Sequence, residues 1–234
     1  MGGDRRSPRR RALKSPFPLA QQSQKFSDDL AALLNRTVCR NVKLSSVISN
    51  EKNPRSVVGY QITKHVLDAR VGIPLTVDNK APRLFLGLSY RLAPDSASRY
   101  LMVVSSALVV TADKDLSEEL FHYDYERNKS DGYPEAHLQI VATSDAWRKA
   151  CTRPDGTSRK VARLHFPVGP RRFRPTIEDL IEFLIVERLT PGHPGWAEIV
   201  ESSRETFRIK QLRAAIRNDP ETARRMLEEI DGQS

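Results

Sequence analysis

The sequence predicts an α+β fold: a mainly antiparallel sheet of about six strands, preceded by one helix and followed by several. Three observations carry that prediction. Residues 19–37 place Phe26, Leu30, Leu33 and Leu34 at helical spacing, and residues 57–166 hold a succession of strand-like runs separated by turn residues. From Thr176 the apolar period returns to 3.6. The alternation of strand and helix that a doubly wound sheet requires is missing.

Taken in order, residues 1–18 are rich in arginine and proline and poor in apolar residues, which predicts a disordered basic tail. The folded unit is expected over 19–190, with a helical extension over 191–234. After the first helix, the Asn- and Pro-bearing stretch at 50–54 gives way to a β-rich run at Val57–Thr63. In Arg83–Leu92, Leu84, Leu86, Leu88, Tyr90 and Leu92 alternate onto one face; Pro94-Asp95-Ser96 then turns the chain into Arg99–Thr111, a long apolar strand expected to be buried on both faces. Three shorter strands follow at Leu120–Glu126, Ala136–Ala142 and Val161–Phe166, with Asp131-Gly132 as the turn between the first two. Thr176 and Asp179 open a helix with a capping-box pattern, ahead of a stripe of Ile177, Leu180, Ile181, Leu184 and Ile185. Residues 196–218 read as a helix with a break, and Asp219-Pro220 starts a last helix reaching about Ile230.

Composition excludes several classes. Of 234 residues, 39% are hydrophobic and 29% charged, and no apolar run approaches the roughly 20 residues that cross a bilayer. The first 20 residues have no apolar core of a secretory signal. Cys39 and Cys151 form neither a disulfide framework nor a zinc pattern, which points to a reducing cytoplasm. Gly169 stands without a phosphate-cradling glycine loop around it, so no nucleotide cofactor is expected.

The net charge of +9 is segregated. Residues 1–15 set six basic side chains against Asp4, and residues 148–174 set nine against Asp155; from Pro175 on, twelve acidic residues face eight basic ones. A positive zone of this kind is suited to RNA or another polyanion, held through counterion release.

The three short strands share one alternation. Phe121, Tyr123 and Tyr125 oppose His122, Asp124 and Glu126; Leu138 and Ile140 oppose His137 and Gln139; Leu164 and Phe166 oppose Arg163 and His165. With the apolar sides inward, one surface collects His122, Asp124, His137, Gln139, Arg163 and His165. A hairpin at Asp131-Gly132 is expected to pair Asp124 with Gln139 and Glu126 with His137. His165 then leads into Arg171, Arg172 and Arg174 and the helix start near Thr176, a combination suited to phosphate. Imidazoles beside a held phosphodiester point to general acid–base cleavage of RNA without a metal: His122, His137 and His165 as acid and base, Asp124 as orienter, and Arg163, Arg171, Arg172 and Arg174 on the phosphate. The bland alternative is an ordinary solvated sheet face.

Two resemblances attach to the same residues. Phe121-His122-Tyr123-Asp124-Tyr125, then Tyr133-Pro134-Glu135-Ala136-His137-Leu138-Gln139, then the helix at 177–189, resemble the TumE-type toxin domain over about residues 99–189. That resemblance implies a toxin-like, RNA-directed activity. His122-x-Asp124 with a distant His165, and Arg174 beyond it, is similar in residue order to the Fe(II)/2-oxoglutarate oxygenases, which implies a metal site as a remote alternative. The leading expectation is a nucleic-acid-directed protein; the alternative from another class is a non-enzymatic binder of nucleic acid or an acidic partner.

Overall fold

The computed structural model describes residues 17–49, 54–151, 160–169 and 174–232. The architecture is α+β. Helix α1 (Leu19–Thr37) is followed by strands β1 (Leu44–Ile48), β2 (Ser56–Tyr60), β3 (Ile73–Pro74), β4 (Phe85–Pro94), β5 (Leu101–Thr111), β6 (Glu119–Glu126) and β7 (Ala136–Ile140). Helix α2 (Asp145–Cys151), a 3₁₀ turn at Val161–Arg163 and strand β8 (Phe166–Pro167) precede helices α3 (Ile177–Val186), α4 (Trp196–Asn218) and α5 (Pro220–Asp231). The strands form one antiparallel sheet in the order β1-β2-β4-β5-β6-β7-β8, with β3 paired to β4. The count exceeds six because β1 and the two-residue strand β3 join it. Neither has a clear period-two apolar signature.

One face of the sheet carries the core. Leu86, Leu88, Tyr90 and Leu92 of β4 and Leu108 and Val110 of β5 pack with Leu30, Leu33 and Leu34 of α1, Leu180, Ile181 and Leu184 of α3, and Val200 of α4. Each such side chain, fully removed from water, stabilises the fold by about 1.5–3 kcal/mol before entropy is counted. Helix α1 ends where the Val38 N–H reaches Leu34 O, and Asn35 clasps the following chain in both directions through Val42. The loop before α4 is stitched to the end of α1: the His193 N–H donates to Thr37 O at 2.8 Å, and His193 Nε2 donates to Cys39 O at 2.9 Å.

Several expectations are corrected. Strand β5 is covered on one face only; its other face, with Ser105, Ala107 and Val109, is half-buried and lines an open cleft. The third short strand is mostly absent. Val161–Arg163 is a 3₁₀ turn, closed by the Leu164 N–H on Val161 O, and only Phe166–Pro167 pairs with β7. The polar connection after β7 contains helix α2, opened by Asp145. Helix α4 runs unbroken from Trp196 to Asn218, while Asp219 caps α5 by accepting the Thr222 N–H, as its sequence predicts. The basic tail, through residue 16, lies outside the described residues, as do Arg171 and Arg172.

Candidate functional site

The open face of the sheet brings together side chains that alternate away from the core. Asp124 pairs in register with His137, and His122 with Gln139. The expected register was two residues off, because the β6–β7 connection closes through the Glu126 N–H to Glu135 O and reserves Asp131 and Gly132 for a longer loop. A two-residue slip preserves the face, so the same four side chains still meet.

The geometry is compact. His122 Nε2 lies 3.5 Å and His137 Nε2 lies 3.8 Å from Asp124 Oδ2. The facing atoms of His122, Asp124 and His137 all fall within 4.8 Å of one another. His122 Nδ1 donates to Glu119 Oε1 at 2.5 Å, and His122 Nε2 to Gln139 Oε1 at 2.5 Å; Gln139 Nε2 is in turn anchored to Ala162 O at 3.0 Å. His137 Nδ1 donates to Pro134 O at 3.4 Å. His137 is buried, and that burial holds its pKa below the ordinary histidine value, outweighing the opposing pull of the Asp124 carboxylate and the Pro134 carbonyl. Asp124, with 37% of its side chain exposed, is the member that meets solvent.

Glu119 is the member that alternation misses. Residues three apart on a regular strand face opposite ways, yet Glu119 and His122 share the open face. The β5–β6 register shifts between Val110 and Thr111, so that Phe121 pairs with Val110 and Glu119 with Thr111, leaving Leu120 as the extra residue. This bulge re-aims Glu119 toward the imidazole.

Asp124 and His137 of the cluster line a cleft of about 380 Å³. Its floor is Ser89, Ser105, Ala107 and Val109; Arg91, paired with Asp68 at 3.6 Å, and Lys129, held by Glu126 at 3.2 Å and Asp131 at 3.1 Å, form its sides. Gly87 lets Leu116 fold onto the floor: an added Cβ there would lie 3.1 Å from Leu116 Cδ1.

Of the remaining expected residues, His165 adjoins the cluster, while Arg163 and Arg174 stand apart from it. His165 lies off the strand, with its ring edge-on to His137 at 4.5 Å and tilted over Tyr133 at 4.0 Å. Arg163 is exposed at the end of the 3₁₀ turn. Arg174 is on the opposite side of the sheet: its guanidinium lies 4.0 Å over the ring of Tyr125, beside a cavity of about 550 Å³ lined by Phe26, Tyr90 and Leu108. The helix start that follows Pro175 draws it there. The second imidazole near Asp124 is therefore that of His137, not of His165.

No described helix is long and apolar enough to cross a membrane. Comparison of the chain with protein-family models, with curated proteins and with solved structures finds no match, so function rests on the chemistry of this face.

Proposed function

We propose that the open face is the reactive centre of a nucleic-acid-directed protein of toxin-like type, acting on the phosphodiester backbone of RNA. The observation that supports this most is the convergence of His122, Asp124 and His137, of which Asp124 and His137 line an open cleft with room for about one nucleotide. The cluster activates the RNA 2′-hydroxyl: its proton passes to the cluster, the oxygen attacks phosphorus, and the P–O5′ bond breaks. The leaving oxygen takes a proton, giving a 2′,3′-cyclic phosphate and a 5′-hydroxyl with no other reactant consumed. Arg91 and Lys129 supply donors to the phosphate from the cleft walls. The basic segments at 1–15 and 148–174 add sequence-independent attraction for the rest of the strand.

Purified tag-free protein incubated with an end-labelled single-stranded RNA tests this reading. The wild type is expected to yield cyclic-phosphate fragments, and Asp124→Asn to lower the rate by at least about 100-fold while retaining RNA binding. Binding without cleavage by the wild type would replace the enzyme with a nucleic-acid binder. Absence of both would remove RNA from the account.

A further inference from the structure

We infer that His122, Asp124 and His137 form a binding site for one divalent transition-metal ion. The first argument is spacing. Metal–ligand bonds of about 2.0–2.2 Å at tetrahedral angles place donor atoms about 3.3–3.5 Å apart. The two imidazole–carboxylate separations here are 3.5 and 3.8 Å, and the whole set lies within 4.8 Å. Closing on an ion therefore takes a shift below about 1.5 Å.

The second argument is independent of spacing and concerns what lies behind the rings. A metal-bound histidine donates its other ring N–H to a carboxylate or a backbone carbonyl, which fixes the tautomer and aims the free lone pair at the ion. Both rings are held in that way: His122 Nδ1 by the Glu119 carboxylate and His137 Nδ1 by the Pro134 carbonyl. Neither oxygen can donate, so each Nδ1 carries the hydrogen and each Nε2 faces Asp124; His137 Nε2 does so bare, whereas His122 Nε2 also donates to Gln139 Oε1, a hydrogen that the ion must displace. The bulge at Leu120, which delivers Glu119, belongs to the same arrangement.

The third argument is charge. Asp68, Asp124 and Glu126 outnumber Arg91 and Lys129 along the cleft, a balance that repels phosphate. One bound dication reverses its sign. Two imidazoles and one carboxylate suit zinc, iron(II) or manganese(II) rather than magnesium or calcium, which take oxygen donors. The ion displaces the hydrogen that His122 Nε2 donates to Gln139 Oε1, releasing it to solvent as a proton, and the freed amide oxygen, its Nε2 still anchored to Ala162 O, becomes an additional ligand beside the ion. Metal binding rests on the geometry alone. Its place in RNA cleavage, polarising the phosphoryl oxygen and acidifying the attacking hydroxyl, rests on the proposed function.

The test separates the two. Tag-free full-length protein stripped with a chelator is titrated calorimetrically with zinc chloride and, separately, with manganese chloride, with bound metal counted by elemental analysis. The expected result is one ion per chain with micromolar or tighter zinc affinity. Asp124→Asn, near-isosteric, is expected to weaken binding at least 100-fold, Glu119→Gln 10- to 100-fold, and the exposed His65→Ala not at all. Circular dichroism confirms that each variant is folded, and metal should raise the Tm of the wild type but not of Asp124→Asn. Failure of the wild type to bind either ion, or equal affinity in Asp124→Asn, overturns the metal site whatever the RNA assay shows. Metal binding without RNA cleavage overturns the proposed function and leaves the site standing.

Discussion

Cys39 has no exposed surface, and burial pushes its thiol pKa up to about 12, so the reactive thiolate is suppressed at neutral pH. In a Cys151→Ser background, Cys39 should therefore resist a thiol reagent at pH 8 and react only at the rate of global unfolding; immediate labelling would contradict the packing described. At this scale the site was partly legible. His122, Asp124, His137 and Gln139 follow from strict alternation on two adjacent strands, which needs no knowledge of register beyond its parity. Glu119 was illegible because a bulge breaks the alternation that any reading of a strand assumes. Arg174 was misplaced because proximity in sequence to His165 says nothing of which side of the sheet the chain takes after a proline.

Elements are decided by turns as much as by apolar periods. Asp95 closes the β4–β5 turn: its carboxylate accepts the backbone N–H groups of Arg99 at 2.5 Å, Tyr100 at 2.9 Å and Ala97 at 3.3 Å. Burial alone would raise its pKa, but these donors and the Arg99 charge outweigh it and set it below the ordinary carboxylate value. A depressed carboxylate stabilises the fold above the unfolded pKa, near 4, and loses that contribution as pH falls through the lower folded value. Asp95→Asn should thus cost about 1–2 kcal/mol at pH 7 in urea unfolding, and the gap to wild type should narrow by pH 3. A gap independent of pH would exclude the charged form as the source. The helices α1 and α3 were readable because each buries a continuous stripe against the sheet. Strands β1 and β3 were not, since pairing to a neighbour rather than apolar content defines them, and of the strand expected at Val161–Phe166 only its end survives in β8.

For the whole molecule, the sheet divides two tasks. Its helix-covered face supplies the core, and its other face, left open beside Leu116, presents the His122–Asp124–His137 cluster and the cleft. The order of helix, strands and helices in the sequence points toward this division, because long helices at the two ends of the chain can cover one side of the sheet and leave the other exposed. The apolar run of β5 nevertheless hid its open face, and the short α2 interrupts the strands. The side on which a nucleic acid lies is the claim that unites the rest. Photo-crosslinking of a 4-thiouridine-substituted RNA, with the attached peptides identified by mass spectrometry, reads that side directly. The expected crosslinks fall in β6 and β7, the Tyr133 loop and the Arg91 segment; crosslinks confined to residues 1–15, or to the α1 and α4 side of the sheet, would contradict it.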